Sequence, residues 1–128
     1  MGKVFFGFAI SDSMFPAEPQ EDGWFIYRRT IGLDEVMRWF ARGQENNSFV
    51  CCCNPSHKAT IAAMTARFGL EVSIPEKPPV VSLNPGDTLI VMSVRGLPRL
   101  TDRHEYTFEE INKATFSFGQ WSVDGPAR

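Results

Sequence analysis

Residues 48–69 constrain the fold of this chain more than any other stretch. Residues 48–53, Ser-Phe-Val-Cys-Cys-Cys, form a short apolar run with the composition of a buried strand. Asn54-Pro55 follows directly. Asn54 is a good helix N-cap, and Pro55 suits the first helical position, where its missing N–H costs nothing. The helix predicted from there runs to about Phe68, with Ile61, Ala62, Met64 and Phe68 as its buried stripe, and Gly69 ends it. A strand that feeds straight into an amphipathic helix calls for a sheet with helices packed on it. The three consecutive cysteines fit that strand. Neighbouring cysteines do not make an unstrained disulfide, and their spacing is not that of a zinc site. In a strand Cys51 and Cys53 face one side and Cys52 the other. Small and easily buried, they read as strand core.

The rest of the chain supplies more of the same architecture. Residues 3–10 are an apolar, aromatic-rich run and predict the first strand. Residues 11–23 carry Pro16, Pro19 and Gly23 among acidic residues and predict a loop. Residues 24–30 alternate as a second strand. Residues 33–42 predict a helix, with Val36, Met37 and Phe40 on one face, Asp34 and Glu35 in the first turn and Gly43 as its stop. Residues 80–83 and 88–94 flank the turn Asn84-Pro85-Gly86-Asp87 and predict a hairpin. Residues 95–106 are polar and irregular. Thr107 with Glu110 three residues on is a capping box for a short helix, and residues 114–123 return to strand alternation. The fold class expected is α/β (α+β): a single mixed sheet of five to six strands with helices on it. There is no internal repeat or linker, so 1–128 is a single domain.

Composition narrows the function by exclusion. Thirteen Lys and Arg against fifteen Asp and Glu give a net charge of −2. A long nucleic acid needs a broad basic surface, which this balance does not supply. No apolar run reaches the roughly 20 residues of a membrane span. The first residues read as a strand rather than a leader, so a cytoplasmic protein is expected. No Gly-rich phosphate loop and no histidine cluster for a metal is present.

One place can carry chemistry. With Asn54 as the cap, His57 falls in the first helical turn, where the backbone N–H groups of Ser56, His57 and Lys58 are orphan donors. Such a turn is an anion site. Ser56 and Thr60 add hydroxyls and Lys58 a cation, so the group makes a plausible phosphate cradle. On spacing alone, the simpler description is an exposed imidazole beside a solvated lysine. Arg95 and Arg99, on a loop shaped by Gly96 and Pro98, are the second feature, suited either to bidentate phosphate binding or to a solvated surface pair. Residues 102–105 look like a solvated charge run.

These residues carry a resemblance. Met1-Gly2-Lys3-Val4-Phe5 with Ala9, Ser11 and Met14, then Leu33-Asp34-Glu35, His57-Lys58-Ala59-Thr60, Gly69, and residues 81–94 resemble, in that order, the small ring nucleases typified by the type III anti-CRISPR ring nuclease of archaeal viruses. The resemblance covers about residues 1–100. It implies a homodimer that binds cyclic tetra-adenylate, a cyclic oligonucleotide second messenger, across its two-fold axis. It further implies cleavage without metal or other cofactor, by in-line attack of a ribose 2′-hydroxyl that leaves a 2′,3′-cyclic phosphate. His57 would be the general acid, Ser11 a contact to backbone or ribose, Thr60 a support for the turn, and Arg95 or Arg99 the phosphate holder. Three positions depart from the family pattern. Phe8 stands where the family has Asn, Ala59 where it often has Ser, and Arg99 where it often has Glu. They imply a drier, more aromatic and more basic pocket. Besides the nuclease, two other roles suit the chain: a sponge that binds a cyclic nucleotide without cutting it, and an interaction module whose aromatics serve an interface.

Overall fold

The computed structural model describes residues 2–8, 10, 14–15, 25–101 and 103–124. Ser11, Trp24 and most of the expected first loop lie outside the described residues. The elements run β1 (Val4–Gly7), β2 (Phe25–Ile31), α1 (Leu33–Glu45), β3 (Phe49–Cys51), α2 (Lys58–Phe68), β4 (Thr88–Arg95), α3 (Phe108–Lys113) and β5 (Thr115–Asp124). The expected mixed sheet has five strands, in the order β2-β5-β4-β1-β3. β1 lies parallel to both β3 and β4, whereas β5 runs antiparallel to β4 and β2.

The helices α1 and α2 cover one face. Val36 and Phe40 from α1 and Ile61 and Met64 from α2 pack on Val4, Phe6, Ile90, Met92 and Phe118. Phe6 is fully buried and meets Phe40 edge-on at 5.1 Å. Among the described residues, no α-helix packs on the opposite face. There Phe5, Leu89 and Val123 are covered by Val81 and Leu83, with Met14, Phe15 and Trp121 half-buried around them. The cysteines divide as strand alternation requires, Cys51 and Cys53 toward the helices and Cys52 toward the other face.

Several local expectations are corrected. Residues 80–83 are not a strand, and there is no hairpin. Both edges of β4 are already taken, by β1 on one side and β5 on the other. The alternation of Val81 and Leu83 instead reflects chain lying flat on the sheet, where Leu83 N–H donates to the Met14 carbonyl at 2.6 Å. The turn at residues 84–87 does form. Asp87, buried, accepts from Asn84 N at 3.0 Å and Lys3 N at 2.8 Å, tying the start of β4 to the start of β1.

Gly43 does not stop α1, which continues to Glu45. It lies buried where the helix meets the sheet, and an added Cβ would come within 3.1 Å of the Val4 Cβ and 3.2 Å of the Phe49 Cβ. Close approach, not termination, is its use. Met37 and Ala62 turn outward, and the buried stripes are Val36, Phe40 and Gly43 in α1 and Ile61, Ala63 and Met64 in α2. Gly69 does end α2, in the left-handed conformation at φ 74°. The capping box on α3 is complete, with Thr107 and Glu110 each bonding the other's backbone N–H.

Candidate functional site

The chain leaves β3 at Cys51, passes Cys52 and Cys53, and tightens into a 3-10 turn over Pro55–His57 before α2 begins. The Asn54 side chain accepts from Ser56 N at 3.0 Å, so the expected cap is present. It caps the 3-10 turn rather than α2 itself. His57 N donates to the Asn54 carbonyl at 2.9 Å, and Lys58 N to the Pro55 carbonyl. The expected crown of free amides at Ser56, His57 and Lys58 is therefore corrected. The tighter turn satisfies these donors within the chain, leaving side chains to do any binding.

His57 stands at the carboxyl ends of the parallel strands, where open α/β sheets hold ligands. Its imidazole is exposed and packs on the Phe8 ring, with centroids 4.7 Å apart. The two rings line a cavity of about 160 Å³ shared with Gly7, Met14, Cys52, Cys53, Asn54 and Val81. Met14, Cys52 and Val81 of its lining also belong to the cluster on the face away from α1 and α2.

Ser56 and Lys58 line a second, larger cavity of about 490 Å³ on the other side of the same turn. Leu100, Arg103, His104 and Glu105 form its facing wall. Arg103 is held in a bidentate ion pair with Glu110, one arm at 2.6 Å. The guanidinium, with help from the Thr107 N–H, holds the Glu110 carboxyl down to about 2. The capping box of α3 thus anchors an arginine beside Lys58. Arg103 and His104 were expected to be a solvated run, and no local spacing links them to residue 56. Only the Thr107–Glu110 box, legible in the sequence, hints that something is fixed there.

The remaining expected residues do not converge. Thr60 is half-buried in the first turn of α2 and lines neither cavity. Arg95 and Arg99 are exposed and also line neither. Register explains Arg95. Gly7 is level with Val91, so Arg95 stands four residues further along β4, about 13 Å at 3.3 Å per residue. Ser11 lies outside the described residues.

Fold and turn together define a two-layer α+β domain with an imidazole at the carboxyl ends of its parallel strands. That architecture is found in a virus. Protein B116 of Sulfolobus turreted icosahedral virus superposes with a TM-score of 0.65 at 19% identity, over 94% of this chain and 99% of that one. At that identity the likeness shows the fold. No family model matches the chain, and no curated protein matches it. No helix among the described residues is long and apolar enough to cross a membrane.

Proposed function

We propose that this protein is a metal-independent ring nuclease that binds cyclic oligoadenylate, cyclic tetra-adenylate in particular, as a homodimer and opens it to linear products ending in a 2′,3′-cyclic phosphate. Its effect would be to switch off a cyclic-nucleotide-signalled antiviral defence. The carrying observation is the exposed His57 imidazole at the mouth of the cavity beyond β1 and β3, stacked on Phe8. The chemistry asks little of the protein beyond alignment and charge stabilisation, because the nucleophile belongs to the substrate. His57 protonates the departing 5′-oxygen. Lys58 on the adjoining cavity neutralises phosphate charge, beside the wall that the Arg103–Glu110 pair braces. A virus protein of the same fold is in keeping with this role.

The homodimer finds support at the other end of the sheet. Among the described residues β2 is an edge strand that pairs with β5 alone, and its Phe25, Ile26 and Tyr27 side chains are exposed. An exposed apolar edge is a template for pairing with another chain.

The test is incubation with cyclic tetra-adenylate in EDTA, with products resolved by chromatography. Linear products are expected, with His57→Ala slowing their formation by roughly 10²- to 10⁴-fold. Intact ligand after long incubation overturns the nuclease. One observation favours the sponge instead: the amides of the turn are occupied and the imidazole rests on an aromatic ring. Tight binding without cleavage would establish it. A ligand at 100 times its dissociation constant adds about 2.7 kcal/mol of stability, so binding is visible as a raised Tm. If no cyclic oligonucleotide raises the Tm, an interaction module is the better account.

A further inference from the structure

The nuclease chemistry makes no use of the cysteines, and their placement is not that of inert core alone. Cys51 is the last residue of β3, and Cys53 follows on the same side, past the end of the ladder. Their thiols share a hydrogen bond. Cys51 lines a cavity of about 590 Å³ with Gly43, Gln44, Glu71 and Ser73. Cys53, 1% exposed, lines the separate His57 cavity, its sulfur 3.7 Å from the Phe6 carbonyl oxygen. Cys52 points to the other face. One thiol therefore faces an opening, and a second sits within hydrogen-bond reach of it.

We propose that Cys51 and Cys53 are an oxidisable dithiol, closed to an intrachain disulfide by a peroxide that enters through the cavity beside Gly43 and Ser73. The Cys51 sulfur attacks hydrogen peroxide. An S–O bond forms, the O–O bond breaks, and the displaced hydroxide leaves with a proton as water. The Cys53 sulfur then attacks the Cys51 sulfenic acid, forming the S–S bond and breaking the S–O bond. A second hydroxide leaves with the Cys53 proton as water. Two thiols and one peroxide give one disulfide and two waters, two electrons passing from sulfur to peroxide.

The environment separates the thiols in reactivity. The hydrogen bond from Cys53 holds the Cys51 thiol down to about 7 against the effect of burial. Burial pushes Cys52 up to about 11. The bond to Cys51 and burial push Cys53 up as well. A larger thiolate fraction, offset by the lower nucleophilicity of a weaker base, leaves Cys51 roughly a hundredfold faster than Cys52 at neutral pH. Bridging residues two apart strains the chain and makes the bond easily reduced, so the modification is reversible. It also draws on the Cys52 N–H bond to the Phe6 carbonyl, 2.9 Å, at the strand exit that leads to His57. None of this depends on the nuclease activity.

The experiment treats the folded protein and its Cys52→Ser variant with hydrogen peroxide, blocks remaining thiols with iodoacetamide, and maps peptides by mass spectrometry. The expected result is joint loss of the Cys51 and Cys53 thiols as one intrachain bond, restored by dithiothreitol. Cys53→Ser should stop at a Cys51 sulfenic acid trapped by dimedone. Should that variant fail to fold, the Cys52→Ser map decides alone. Oxidation on Cys52 first, disulfides only between chains, or thiols that survive excess peroxide each overturn the proposal.

Discussion

The two halves of the sheet solve different problems. In the parallel half, β3-β1-β4, every residue of β1 is buried, β3 is half-buried to buried, and β4 is buried along its first three residues. In the antiparallel half, β2 is exposed at every position but Ile31. Parallel strands require cover on both sides, whereas antiparallel strands tolerate water on one. Here α1 and α2 cover one face of the parallel half and residues 80–87 the other. The His57 turn sits at the end of the covered half, beyond β1 and β3. The open half presents a surface. The division predicts which substitutions unfold the protein and which only change what it touches.

The largest effect is expected in the covered half. Phe6 is 0% exposed, between Phe40 and Phe8. Phe6→Ala should cost about 3–5 kcal/mol in a denaturant titration. A loss near that of a surface substitution would remove the parallel half as the centre of the core.

Next comes the tie that seats the helix-free cover. Asp87→Ala leaves the N–H groups of Lys3 and Asn84 without their acceptor. Both donors are only part-buried, so the loss should lie near the lower end of the roughly 1–3 kcal/mol range for unsatisfied groups, about 1 kcal/mol. Asp87→Asn, which keeps one acceptor oxygen, should recover part of the loss. If both variants melt with the wild type, the turn at residues 84–87 does not depend on that carboxylate.

This region also shows where sequence stops being legible. Signals that act within a few residues were readable: Asn54 as a cap, Gly69 as a stop, the Thr107–Glu110 box. The order of strands was not. Residues 80–83 alternate like a strand because they too have one buried side, and nothing local says that β4 has no free edge. Gly43 looks like a terminator in a one-dimensional pattern, and only the approach of Val4 and Phe49 shows otherwise. At the site, His57 was found from its place after a cap. The partition of Ser56 and Lys58 away from it, and the arrival of Arg103, depend on a loop more than forty residues distant in sequence and had no local signature. Arg95 and Arg99 were sensible phosphate ligands by type, but β4 carries Arg95 beyond the cavity.

A comparable effect is expected at α3, which braces the Arg103 wall. Thr107→Ala removes a side-chain cap from Glu110 N and should cost about 1 kcal/mol. The Glu110 carboxyl is held down to about 2, first by Arg103. A depressed folded value contributes stability that is present above the ordinary carboxylate range and lost as pH falls toward 2. Stability should therefore decline across that acid window, and Glu110→Gln should flatten the decline. An unchanged acid profile in Glu110→Gln would mean that Arg103 is not fixed by this pair in solution.

The smallest effect on stability, and the most telling contrast with Phe6, is expected on β2. Ile26 and Tyr27 are 47% and 52% exposed, so Ile26→Lys or Tyr27→Lys removes little buried area from the protomer. Exposed substitutions of this kind fall within about 0.5 kcal/mol. Charge on an edge strand does, however, block strand-to-strand pairing. Sedimentation should show the proposed dimer in the wild type and a monomer in the double lysine variant, while denaturation at low protein concentration is the same for both. Loss of cyclic tetra-adenylate cleavage together with the dimer would tie the open half to the site that the covered half positions. A dimer that persists unchanged would place its interface elsewhere and leave β2 a plain solvent edge.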